Sequence, residues 1–109
     1  MQKIGERQYA IGANETVAIE VDASGTAHLV NYDLDGDGGI LNQGQQLSIT
    51  APSGNNRRKL NLLFTYSGSG GTYTVKLTGS AGGQDTDTVS QGSFGVPTNA
   101  CEYRFRRAQ

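Results

Sequence analysis

The stretch KLNLLFTYSGSGGTYTVKLT, residues 59–78, decides the fold. Its first half puts Leu60, Leu62, Phe64 and Tyr66 on one parity. Its second half sets Tyr73, Val75 and Leu77 against Thr72, Thr74, Lys76 and Thr78. Strict alternation has the period of a half-buried β-strand and not that of a helix. Leu63, on the opposite parity, points to burial on both faces of the first run. Between the runs, SGSGG supplies the conformational freedom of a turn, so the stretch reads as a hairpin with a glycine-rich loop. A strand follows those glycines where a phosphate-binding loop requires a helix N-terminus, which removes a nucleotide loop.

Outward from this stretch the same alternation recurs. It is clear in TVAIEVD (Val17, Ile19, Val21), QLSIT (Leu47, Ile49) and CEYRFR (Cys101, Tyr103, Phe105). It is shorter or less regular in QYAI (Tyr9, Ile11), in AHLVNY at 27–32 and in DTDTVSQ at 85–91. Turn signals rich in Gly, Asn, Asp and Pro separate the runs, at 12–14, 24–25, 35–39, 52–56, 68–71 and 81–83. SQGSFGVPTNA, residues 90–100, reads as a longer surface connection. This rhythm predicts an all-β chain: a single domain over 1–109, an antiparallel two-sheet β-sandwich, jelly-roll-like, of about 7–8 short strands. A small closed β-barrel is the second choice.

Composition narrows the function classes. Sixteen glycines, no tryptophan and 17% charged residues suit short strands and many turns. A formal net charge of −1 provides no global field towards nucleic acid or anionic lipid. No apolar run is long enough for a membrane span. The opening residues MQKIGERQYAIG lack a secretory signal. The chain is therefore either cytoplasmic or a mature chain whose signal was removed, and a secreted or cell-surface location is favoured only if Met1 replaces that signal. One cysteine excludes an internal disulfide and a thiolate-rich zinc site. Cys101 shares the parity of Tyr103 and Phe105 and reads as a core thiol, and His28 as a surface histidine. Glu15, Glu20, Asp22, Asp85, Asp87 and Glu102 are assigned mostly to polar strand faces and loops. No G-x-S-x-G elbow is present, so a non-catalytic role is expected.

NYDLDGDGGIL, residues 31–41, carries the sharpest chemical pattern. Asp33, Asp35 and Asp37, followed by Gly38 and Ile40, resemble the start of an EF-hand loop. The resemblance fails where Leu41 and then Gly44 occupy later ligand positions, and both flanks read as strands. Two readings remain. One is a calcium site in a β-loop, with Asp33, Asp35 and Asp37 as ligands and Asn31 or Asn42 completing the shell. The other, which leads, is a solvated Asp-Gly turn. Tyr32 beside this run, with Asn31 and Asn42, also suits carbohydrate binding by ring stacking and amide hydrogen bonds, against ordinary strand packing of the ring.

Two basic clusters, Arg57-Arg58-Lys59 and Arg104, Arg106 and Arg107, raise single-stranded nucleic acid as a ligand. The net charge disfavours it. GTYTVKLTG, residues 71–79, resembles the final strands of secreted accessory sandwiches such as pre-peptidase C-terminal domains and carbohydrate-binding jelly rolls; it assigns no family and no residue roles. The expectation is a recognition module for carbohydrate, a surface ligand or another protein. The alternative is an assembly protein that forms homo-oligomers through its sheet edges.

Overall fold

The computed structural model describes the backbone of residues 1–90 and 98–109, and side chains outside 24–28, 66–71, 90 and 98–99. Within these, the strands are β1 (Gln2–Gly5), β2 (Gln8–Ile11), β3 (Thr16–Leu34), β4 (Asp37–Ile40), β5 (Gln46–Thr50), β6 (Arg57–Gly79), β7 (Gln84–Ser90) and β8 (Thr98–Arg107). No helix among the described residues is long and apolar enough to cross a membrane. The expected connection at 90–100 falls largely outside the described residues, and its last three residues, from Thr98, belong to β8.

Two strands are far longer than the sequence suggested. β3 has 19 residues and β6 has 23, and they pair antiparallel from Val17↔Gly79 to Leu34↔Leu60. The glycine-rich segment at 67–71 is therefore not a hairpin loop. Ser24-Gly25 is not a turn either, since both residues pair across to β6. Between Gly25↔Gly71 and Ala27↔Tyr66, β3 advances two residues while β6 advances five, so the surplus of β6 is accommodated as an irregularity. Glycine inside a strand weakens it and marks such a bend.

That bend splits the ladder into two layers. One runs β5, the start of β3, the end of β6 and β7. The other runs β4, the end of β3, the start of β6, β8, β2 and β1. The result is a small sandwich of antiparallel-dominated sheets with no closed barrel, as the alternation predicts. One pairing departs from that pattern. β2 lies parallel to β8, Tyr9 beside Phe105. The two strands come from opposite ends of the chain, so no crossover connection is required between them.

The core lies between the layers. Val17, Ile19, Ile49, Val75 and Leu77 of the first face Ile11, Leu60, Leu62, Phe64 and Phe105 of the second, all fully buried. Each such side chain stabilises the fold by about 1.5–3 kcal/mol through burial. Cys101 is a free, buried thiol. Leu63 is 42% exposed on the outer face, so the first part of β6 is buried on one side only and not on both as its parity suggested.

Candidate functional site

The aspartate run forms the β3–β4 hairpin. Leu34 pairs with Asp37, and Asp35 and Gly36 between them have φ of 53° and 96°. This is the two-residue turn whose backbone twist matches that of its strands, and Asp and Gly are favoured in it. Asp33 Oδ1 accepts the Gly36 N–H at 2.7 Å. Asp35 accepts the Arg58 Nε–H and the Lys59 N–H, each at 2.9 Å. Partial burial opposes ionisation of Asp35, but those two donors outweigh it and hold its carboxyl below the usual range.

The three carboxylates do not converge. Cross-strand partners share a face, so Asp37 lies on the face of Leu34 while Asp33 lies on the other. Among the described residues, no group of three or more His, Cys, Asp or Glu is arranged to hold a metal. Tyr32, opposite Gly39, points away from Asp33. A Cβ on Gly39 would stand 2.7 Å from the Tyr32 hydroxyl, so that glycine leaves room for the ring. Tyr32 is partly buried against the core. Asn31 shares the outer face with Asp33. Asn42 is held in its own turn, its N–H donated to Gln45 Oε1 at 3.1 Å.

The two basic clusters, distant in sequence, come together. β6 and β8 are neighbours, and their register sets Arg57 opposite Arg106 and Lys59 opposite Arg104. The alternate residues Arg58, Leu60, Tyr103 and Phe105 turn inward or to the rim, so the four cations stand on the outer face. Glu102 bridges the inner pair: its carboxylate takes Arg104 Nε at 2.7 Å and Lys59 Nζ at 3.4 Å. Arg58 is engaged by Asp35 at the rim. Arg57, Arg106 and Arg107 have no ion-pair partner among the described residues. A groove of about 320 Å3 runs past Gln8, Lys59 and Arg104 to Arg57 and Arg106. A second hollow of about 390 Å3 continues from the same two arginines to Asn55, Asn56, Arg107 and Gln109. Each cluster was visible in the sequence, but their adjacency follows from strand order alone.

A different polar cluster closes the sandwich. Asp85 and Asp87 of β7 pair with Leu77 and Val75 and so face inward, contrary to the polar-face assignment. Val89, on their parity, was the available signal. Tyr9 donates its hydroxyl to Asp85 at 2.5 Å, and Lys3 lies 3.2 Å from the same carboxylate. Arg7 and Tyr103 donate to Asp87 at 2.8 and 2.9 Å. The Tyr9 hydroxyl leads in depressing the Asp85 carboxyl. At Asp87, desolvation pulls the other way but Arg7 and Tyr103 prevail. Burial, reinforced by the carboxylates, raises both tyrosine hydroxyls well above their ordinary value. Inward charge on an edge strand blunts edge-to-edge pairing, which is how this cluster reads. Glu15, 6% exposed, is likewise not solvated: it takes the Met1 amine and the Gly12 N–H. The side chain of His28 lies outside the described residues.

The chain matches no protein-family model, no curated protein and no solved structure.

Proposed function

We propose that this chain is a non-catalytic recognition module that binds an anionic ligand at the basic end of its outer sheet face. One observation carries the reading: Arg57 and Arg106 are directly opposed across β6 and β8, with no ion-pair partner among the described residues. Like charges so placed are destabilising. An anion between them reverses the sign, and two guanidinium forks suit carboxylate, sulfate or phosphate oxygens. The neighbouring Lys59–Arg104 pair supports the same logic from within the fold, because there Glu102 supplies the anion.

This reading moves the expected binding surface from the 31–42 hairpin to the β6–β8 face, where the cations without an ion-pair partner among the described residues lie. It keeps the expectation of a ligand-binding accessory module. The test is a titration of the full chain with inorganic tripolyphosphate, followed by backbone amide NMR. Shifts concentrated at Arg57, Arg106 and Arg107, and abolished in Arg57→Gln/Arg106→Gln, are the expected result. A spectrum that does not change on adding tripolyphosphate removes the reading.

A further inference from the structure

The geometry points to an elongated ligand, an acidic polysaccharide, lying across the Arg57–Arg106 pair; this rests on the anion-binding reading above. The two hollows share Arg57 and Arg106, so the pair is a saddle between grooves and not the floor of one. On one side lie Gln8, Lys59 and Arg104, and on the other Asn55, Asn56, Arg107 and Gln109. The Lys59 and Arg57 rungs are about 7 Å apart along the strand, and the second hollow continues beyond the start of β6. A single small anion reaches one rung. Occupying both hollows takes a chain.

The groups along the track indicate which chain. A single-stranded nucleic acid uses aromatic platforms for its bases. Here Tyr103 and Phe105 are turned into the core, and Tyr9, which borders the first groove, is 1% exposed with its ring stacked on those two, so it offers a base no open face. One amide, Gln8, borders the first groove beside Ile4, and three, Asn55, Asn56 and Gln109, border the second. An amide offers both donors and an acceptor, which matches sugar hydroxyls. Glu102 stands beside Lys59 and Arg104. A polymer charged at every unit meets repulsion there, whereas one with hydroxyls between its charges finds an acceptor. The ligand class is thus a polysaccharide whose carboxylate or sulfate groups are interspersed with free hydroxyls.

The test is calorimetric titration of the full chain with three probes: a hyaluronan hexasaccharide and an unsulfated chondroitin hexasaccharide, in each of which only every second sugar is charged, and a single-stranded oligothymidylate. At low salt, at least one acidic oligosaccharide binds about tenfold or more tightly than the oligonucleotide, and added salt weakens it because these charges are exposed. Arg57→Gln/Arg106→Gln weakens it by about tenfold or more. Asn55→Ala/Gln109→Ala, at two exposed positions, weakens the oligosaccharide but leaves tripolyphosphate binding unchanged. Equal or tighter binding of the oligonucleotide overturns the inference, as does oligosaccharide affinity unmoved by either double variant. If tripolyphosphate binds at the arginine pair and neither oligosaccharide does, the polysaccharide is wrong and the anion site stands. If tripolyphosphate also fails, both fall.

Discussion

Phe64 and Tyr73 belong to the same strand, β6, yet their ring centroids lie 4.8 Å apart. Nine residues of straight strand would separate them by about 30 Å. The strand therefore turns back over itself, and its two halves supply opposite walls of the core. The Tyr73 hydroxyl secures the bend. It accepts the Leu29 N–H at 2.9 Å and lies 2.5 Å from the Thr65 carbonyl and 3.0 Å from that of Leu29.

Tyr73→Phe keeps the ring and removes those bonds. Leaving buried backbone groups without a partner costs about 1–3 kcal/mol. Urea unfolding is expected to show a lower midpoint of that size. A midpoint equal to that of the parent chain would mean that the hydroxyl does not hold the bend.

Arg57→Gln has the opposite sign. Removing one of two like charges directly opposed across β6 and β8 stabilises the fold by about 0.5 kcal/mol at low salt. The gain shrinks in high salt as the repulsion is screened. Thermal melts at two salt concentrations check it; destabilisation at low salt would show that the pair is not repulsive. The same substitution weakens anion binding, so stability and ligand affinity move in opposite directions.

The aspartates inside the sandwich set an acid limit. Asp85 and Asp87 have carboxyls depressed in the fold, so their contribution is present above the ordinary aspartate pKa of about 4 and is lost as pH falls through the lower folded values. Tyr9 and Tyr103 act at the other end. Their hydroxyls are raised, so their contribution is complete below the ordinary tyrosine value of about 10 and is lost as pH climbs above it. Stability measured by urea titration across pH is expected to form a plateau bounded by these two limits. In Asp87→Asn the acid limb becomes shallower; an unchanged acid limb would refute the assignment.

Calcium is expected to leave the melting midpoint unchanged, with or without chelator, because Asp35 is engaged by Arg58 and Lys59, and Asp33 and Asp37 face opposite ways. Gly36→Ala, at φ 96°, destabilises by about 1 kcal/mol through its backbone conformation. A midpoint that rises with calcium would restore the metal reading of Asp33, Asp35 and Asp37.

The cysteine was legible from its neighbours. Cys101 is 6% exposed on the parity of Tyr103 and Phe105, and burial raises its thiol above the ordinary value. Labelling by a thiol reagent is expected to be about a hundredfold slower in the native chain than in denaturant. Equal rates would place the thiol at the surface.

Alternation by itself determined that this chain is all-β and which residues enter the core. Val17, Ile19, Val75, Leu77, Leu60, Leu62 and Phe64 are buried as their parity requires, because a strand directs every second side chain to one face. Turn chemistry marked 35–39, of which Asp35-Gly36 form the turn, since positive φ is a local property of those residues, while Asp37–Ile40 pair with β3 as strand β4. Glycine runs were ambiguous. The same flexibility that permits a hairpin at 67–71 permits an irregularity in a continuous strand, and pairing with β3 selected the second. Only the tertiary structure set Arg57 against Arg106, because strand order brings together residues that are far apart in the chain. It alone turned Asp85 and Asp87 inward, where Tyr9, Arg7 and Tyr103 replace the water that their sequence neighbours could not.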